Sequence, residues 1–195
     1  MKRAILEEKL NYTKAYRKTR LEVANWVLNN PDTFSDLLDF CYDLKNDISY
    51  KASWILEFVV KDDLSLVYPE IDRYCNQLEH ITRDQSLRPM AKICEMLTTE
   101  YYIKQSPAIK KVLTQKHKEQ ITANCFDWLI TDQKVACKAY SISALYLLGT
   151  EFDWIHPELE TILREGYNKH TAAFKARARH FLTKIEKRKK QKPHR

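Results

Sequence analysis

The sequence predicts an all-α protein, and three observations carry that prediction. Only two glycines, Gly149 and Gly166, occur in 195 residues. Tight hairpins and phosphate-cradling loops need the positive φ angles that glycine supplies, so a β-rich fold and a Gly-rich nucleotide site are both disfavoured. Ala, Leu, Glu, Lys and Arg, which lose little on entering a helix, are plentiful. Apolar residues recur at helical offsets, drawing one stripe down each segment. With 44% hydrophobic and 30% charged residues, the chain can form a core and keep a polar exterior.

From the N-terminus, the start "MKRAILEEKLNYTK" lacks the long apolar stretch of a signal peptide, and none is expected. "RLEVANWVLNN" at 20–30 reads as the second helix of a leading half-pair, with residues 2–17 as its partner or cap. Beyond it, prolines keep time. Pro31, Pro69, Pro107 and Pro157 are spaced by 38, 38 and 50 residues, and "VYPEID" at 67–72 returns as "IHPELE" at 155–160. Proline suits the first turn of a helix, where its missing N–H would be unpaired anyway. Ile71, Tyr74 and Cys75 follow Pro69 at +2, +5 and +6. Ile109, Val112 and Leu113 follow Pro107, and Leu159, Ile162 and Leu163 follow Pro157, at the same offsets. After Pro31 the set slips by one, to Phe34, Leu37 and Leu38.

A second marker alternates with the first. Lys51, Arg88, Lys138 and Lys175 each open a more apolar helix. Behind them lie Ala52/Ile55/Leu56/Val59, Met90/Ile93/Cys94/Leu97, Ser141/Ala144/Leu145/Leu148 and Ala178/Phe181/Leu182/Ile185. Asp47, Asp84 and Asp132 fall in the turns between, where aspartate can cap the second helix by accepting backbone N–H bonds. The fourth turn has no aspartate, with Asn168 nearby.

A proline-led helix, an aspartate turn and a Lys/Arg-led helix, repeated about every 38 residues, resemble the HEAT repeat. That resemblance implies a right-handed α-α superhelix of about four helical pairs plus an N-terminal helical cap, forming one domain over 1–187. The cap would be 1–30, and the pairs 31–68, 69–106, 107–156 and 157–187. Stacked pairs bury a shared core that no single pair could bury. The third unit carries about twelve extra residues, so its first helix is expected to be extended or split near Thr114–Lys118.

Charge is uneven. Residues 1–20 carry a net +5, 168–195 a net +10 and the intervening chain a net −8, so the overall +7 belongs to the ends. The closing "KIEKRKKQKPHR" reads as a frayed helix or disordered basic tail over 188–195. The marker residues Lys51, Arg88, Lys138 and Lys175 either line a groove for an acidic partner or pair with the turn aspartates. The patch Lys110, Lys111, Lys116 and Lys118 either contacts phosphates or is a solvated helix face. Arg177 and Arg179 make the last helix basic before the tail begins.

Catalytic signatures are sparse. The six histidines form no H-E-x-x-H pair, and no G-x-S-x-G or Walker sequence occurs. The glycine-rich G-S-S-x-M-P-x-K-x-N loop of the fumarase/aspartase superfamily is missing. Cys41, Cys75, Cys94, Cys125 and Cys137 sit among apolar residues with no C-x-x-C pair, which predicts reduced core thiols and a cytoplasmic setting. Trp26, Trp54, Trp128 and Trp154 are expected in packing, with base stacking as the alternative. The sequence therefore predicts a non-enzymatic scaffold with no cofactor and no membrane span, binding a protein partner or acidic ligand. The alternative is nucleic-acid binding through the basic helix and tail. HEAT-like alkylpurine DNA glycosylases are similar in class, but no catalytic residue of theirs is carried over.

Overall fold

The computed structural model describes residues 1–167 and 171–191. Asn168, His170, Pro193 and His194, considered above, lie outside the described residues. Among those described there are eleven α-helices and no strand. They are α1 (Lys2–Tyr12), α2 (Arg17–Leu28), α3 (Phe34–Tyr42), α4 (Ile48–Asp62), α5 (Ile71–Gln77) and α6 (Asp84–Thr99). The chain continues through α7 (Pro107–Val112), α8 (Gln115–Ile130), α9 (Val135–Leu148), α10 (Ile155–Gly166) and α11 (Ala172–Gln191). No helix among the described residues is long and apolar enough to cross a membrane.

The four repeat-marking prolines sit where a helix tolerates them, whereas Pro89 lies inside α6. Pro107 is the first residue of α7, Pro157 the third of α10, and Pro31 opens a 3-10 turn that runs into α3. Pro69 lies in a 3-10 segment, Leu64–Glu70, that ends where α5 begins. The stripes behind them face inward: Phe34, Leu37, Leu38, Ile71, Tyr74, Cys75, Leu159 and Leu163 are all buried.

Helices α2, α4, α6, α9 and α11 pack consecutively, each against the next. The sets on α4, α6 and α9 are buried throughout, and on α11 only Leu182 is half exposed. Burying a Leu- or Ile-sized side chain contributes about 1.5–3 kcal/mol, so these sets dominate the core. Helix α3 packs on α4, α8 on α5 and α9, and α10 on α9 and α11. Tyr74 of α5 donates its hydroxyl to the Met90 carbonyl of α6 at 2.8 Å.

The expected split in the third unit is present, and one local expectation needs correction. The chain breaks at Leu113–Thr114, but α8, not the Pro107-led α7, lies against α5 and α9. Helix α7 has six residues and buries only Ile109 among them, whereas α8 buries Ile121, Cys125, Trp128 and Leu129. A helix that short is held by its neighbours rather than by its own cooperativity. His117 and Thr114 close a capping box at the start of α8, and His117 Nε2 lies 2.8 Å from Asp72 of α5. That imidazole holds the Asp72 carboxyl below its ordinary pKa.

The turn aspartates do not cap. Asp47 occupies the N-cap of α4 without a side-chain cap bond, and Asp84 is already the first residue of α6. Asp47 instead accepts from Arg83 at 2.7 Å, and Asp84 lies 3.8 Å from Lys134. The aspartates thus link one turn to the next. The basic end also differs from a loose tail: α11 runs to Gln191, and residues 192–195 lie outside the described region.

All five cysteines are free and buried. Burial pushes the Cys41 and Cys137 thiols up to about 12.

Candidate interaction surface

The four marker cations share a register but not a fate. Lys51 donates to the Asn11 carbonyl at 2.6 Å, in the last turn of α1. Lys138 is buried and donates to the Leu129 carbonyl at 2.9 Å, in the last turn of α8. Both lysines therefore cap the carbonyl end of another helix, where the partial negative charge of the helix terminus favours a cation. Arg88 forms a two-pronged pair with Glu57 of α4, at 2.9 and 2.6 Å. Lys175 is half exposed.

The lysine patch also divides. Lys110, Lys111 and Lys116 are exposed, and Lys110 reaches only Gln105, at 3.3 Å. Lys118 is buried. Its ammonium lies 2.6 Å from Glu151 and stands 4.7 Å from the centre of the Tyr101 ring. Tyr102 also donates to Glu151, at 2.6 Å. Burial alone would raise the Glu151 pKa, but the Lys118 and Tyr102 hydrogen bonds outweigh it and leave the carboxyl below its ordinary value. Lys118 thus locks α8 to the turn after α9 and is turned away from any ligand.

A different set of charges converges where α2, α4, α6, α9 and α11 meet solvent. Arg20 of α2 covers the Trp54 ring of α4 at 4.9 Å, and Trp54 Nε1 donates to the Gln85 carbonyl of α6 at 3.2 Å. Burial pushes the Arg20 pKa down, and the positive charge of Arg88 pushes the same way against Glu57. Glu57, held by Arg88, thus lies within the field of a second guanidinium. On α6 one carboxylate contacts two cations directly. Glu95 lies 2.6 Å from Lys92 and 3.2 Å from Arg177 of α11. Arg177 crosses α9 to reach it, bonding the Ala139 carbonyl at 3.3 Å and the Ser143 hydroxyl on the way. The small side chains of Ala139 and Ser143 leave room for that passage.

Aromatic faces line the same seam. Lys92 stands over Tyr140 at 4.6 Å, and Lys184 of α11 over Tyr146 at 5.5 Å. Between the C-terminal ends of α4 and α6 the seam opens into a groove of about 190 Å³. Lys61, Lys92, Lys104, Glu95 and Glu100 line it, and Lys104 lies 2.9 Å from Glu100. The ionised side chains named along the seam are Arg20, Lys61, Arg88, Lys92, Lys104, Arg177 and Lys184 against Glu57, Glu95 and Glu100. Cations outnumber carboxylates, although the chain between the two basic ends is net acidic.

Sequence reasoning finds Arg88 and Arg177 and misses Arg20, Lys61, Lys92, Glu57 and Glu95. The local trace is the i, i+3 spacing of Lys92 and Glu95 and of Trp54 and Glu57 on exposed helix faces. Arg179 is exposed and bonds the Tyr167 hydroxyl at 2.7 Å, between α10 and α11 rather than on the seam. Among the described residues no group of three or more His, Cys, Asp or Glu is arranged to hold a metal ion. No protein-family model, curated protein or solved structure matches this chain.

Proposed function

We propose that this chain is a HEAT-like, non-enzymatic helical scaffold that holds an acidic segment of a partner protein along the seam across α2, α4, α6, α9 and α11. The observation that carries this reading is the contact of one carboxylate, Glu95, with both Lys92 and Arg177, beside a second group in which Arg20 covers Trp54 next to the Arg88–Glu57 pair. Each set keeps a positive charge in a half-buried, aromatic-lined position, where it is screened less than on an open surface. A ligand carboxylate would complete the pairing. Consecutive packing of the second helices supports the stacked-pair architecture, with its repeats proposed on that ground and on the sequence markers.

A base-excising reading needs an available acid beside an open tryptophan face. Glu57, three residues after Trp54, is gripped by Arg88, and the Trp54 ring is covered by Arg20. At Trp54 that geometry favours the scaffold.

The test is fluorescence anisotropy of a labelled peptide rich in Asp and Glu, with the full chain and with the Lys61→Gln, Lys92→Gln variant. Each exposed ion pair contributes up to about 1 kcal/mol, so the double variant should bind about tenfold more weakly. Absence of peptide binding, or equal binding by the variant, overturns the proposal.

A further inference from the structure

We infer that the outward arc of α11 is a second, separate site, one that grips the phosphate backbone of a nucleic acid. Over Ala172–Gln191 the helix carries eight Lys or Arg residues and a single acid, Glu186. Three of these cations are already engaged. Arg177 meets Glu95, Lys189 meets Glu160, and Arg188 donates to the Thr150 carbonyl at 3.3 Å. Glu186 is held by Arg164 at 2.9 Å.

The outward arc holds Arg179, Lys187 and Lys190, with His180 among them, all exposed; Lys184 stands over Tyr146 and belongs to the seam. At 3.6 residues per turn the arc positions span about 100° of the helix surface and about 16 Å of its length. No carboxylate falls inside that arc, since Glu186 lies just beyond its edge. Among the described residues Arg179 bonds the Tyr167 hydroxyl and forms no ion pair. His180 responds to the same field: burial first, then Lys184 and Arg177, push its pKa down.

The chemistry of the arc selects among polyanions. A membrane-binding helix of this kind would need an apolar face to insert. The apolar face of α11 (Phe174, Ala178, Phe181 and Ile185) is buried, and the helix packs on α9 and α10. Between the cations the arc offers Thr183 and His180. What remains is a rigid row of charges, suited to a stiff phosphate lattice with one charge per about 1.7 Å of duplex. The seam starts at the adjoining edge of α11, at Lys184 and Arg177, and shares none of these three cations.

The experiment is anisotropy of a labelled short DNA duplex with the full chain across a salt series. The comparison variant is Arg179→Gln, Lys187→Gln, Lys190→Gln. Each lost phosphate contact removes about 0.9 from the slope of log K against log salt, so the triple variant should be shallower by about 2.7. Binding at low salt should weaken about tenfold or more. The exposed positions should leave the thermal melt unchanged, which separates lost binding from lost folding. The Lys61→Gln, Lys92→Gln seam variant should bind DNA as the wild type does, so failure of one proposal leaves the other standing. An unchanged slope overturns the inference. So does binding to phosphatidylserine vesicles, or to the acidic peptide, that depends on these three residues while DNA does not bind.

Discussion

Helices α6 and α9 carry the same sequence marks and live in different surroundings. Each has a cation within its first five residues, Arg88 in α6 and Lys138 in α9. Helix α6 is buried on one stripe and keeps Arg88, Lys92 and Glu95 half exposed on the other. Helix α9 packs against α6, α8, α10 and α11, so almost every side chain from Cys137 to Leu148 is covered. A helix enclosed on several sides must be apolar nearly all round, as "VACKAYSISALYLL" is. The contrast teaches that register fixes where a cation stands, while the neighbours decide what it does. On α6 it meets a carboxylate at the surface; on α9 it caps a buried helix end.

Charge reversal should break the comparison most sharply. Lys138→Glu puts a carboxylate against the Leu129 carbonyl in a buried site and should cost about 4 kcal/mol or prevent folding. Arg88→Glu faces Glu57 beside solvent and should cost about 1–2 kcal/mol. Urea denaturation of the two variants measures the difference. Near-equal losses would mean that α9 is not the enclosed helix.

A smaller effect tests the far end of α9. A Cβ on Gly149 would lie 2.3 Å from Cδ2 of His156. That ring cannot easily yield, because Nε2 bonds the Tyr146 carbonyl at 2.8 Å and the ring stacks on Tyr146 at 5.3 Å. Gly149 has an ordinary helical φ of −65°, so the whole penalty of Gly149→Ala is steric. It should lower stability by about 2 kcal/mol, a fall in melting temperature of about 4–8 °C for a chain of this size. Adding His156→Ala should recover part of that loss.

The smallest effect is on pH dependence. Glu151 is held below its ordinary pKa by the Lys118 and Tyr102 hydrogen bonds, although burial opposes them. In Glu160 the Lys189 hydrogen bond leads, with Arg164 also acting against burial. The folded chain therefore binds fewer protons than the unfolded chain as acid is added. The stability these groups contribute is complete above the ordinary glutamate value of 4.5 and is lost as pH falls through the depressed folded values. Denaturation midpoints between pH 7 and pH 3 should fall, and Glu151→Gln should flatten part of that fall.

The helical architecture is legible because its cause is local. Offsets of 0, 3, 4 and 7 mark the buried stripes of α4, α6 and α9 within single segments, and the scarcity of glycine leaves few alternatives to helix. The break in the third unit is legible as excess length. Its consequence is not, because choosing α8 over α7 as the helix against α9 depends on which segment buries more surface. The seam is least legible. Arg177 and Glu95 stand 82 residues apart in the chain, and no local pattern announces that one arginine will cross α9 to meet α6. The burial of Lys118 and Lys138 is hidden for the same reason: a lysine reads as solvent-facing until a carboxylate or a helix end closes over it. The length of α11 is missed because the residues that read as a charged tail, Lys and Arg, are also good helix formers.

The sealed thiols make this molecule its own clock. Cys41, Cys75, Cys94, Cys125 and Cys137 sit in α3, α5, α6, α8 and α9, all buried. A thiolate is the species that reacts with a disulfide reagent; burial withholds it at all five, and an elevated pKa adds to that at Cys41, Cys75, Cys125 and Cys137. Each sulfur becomes reactive only when its own helix lifts away. Labelling rates read one cysteine at a time would therefore give the order in which the layers come apart.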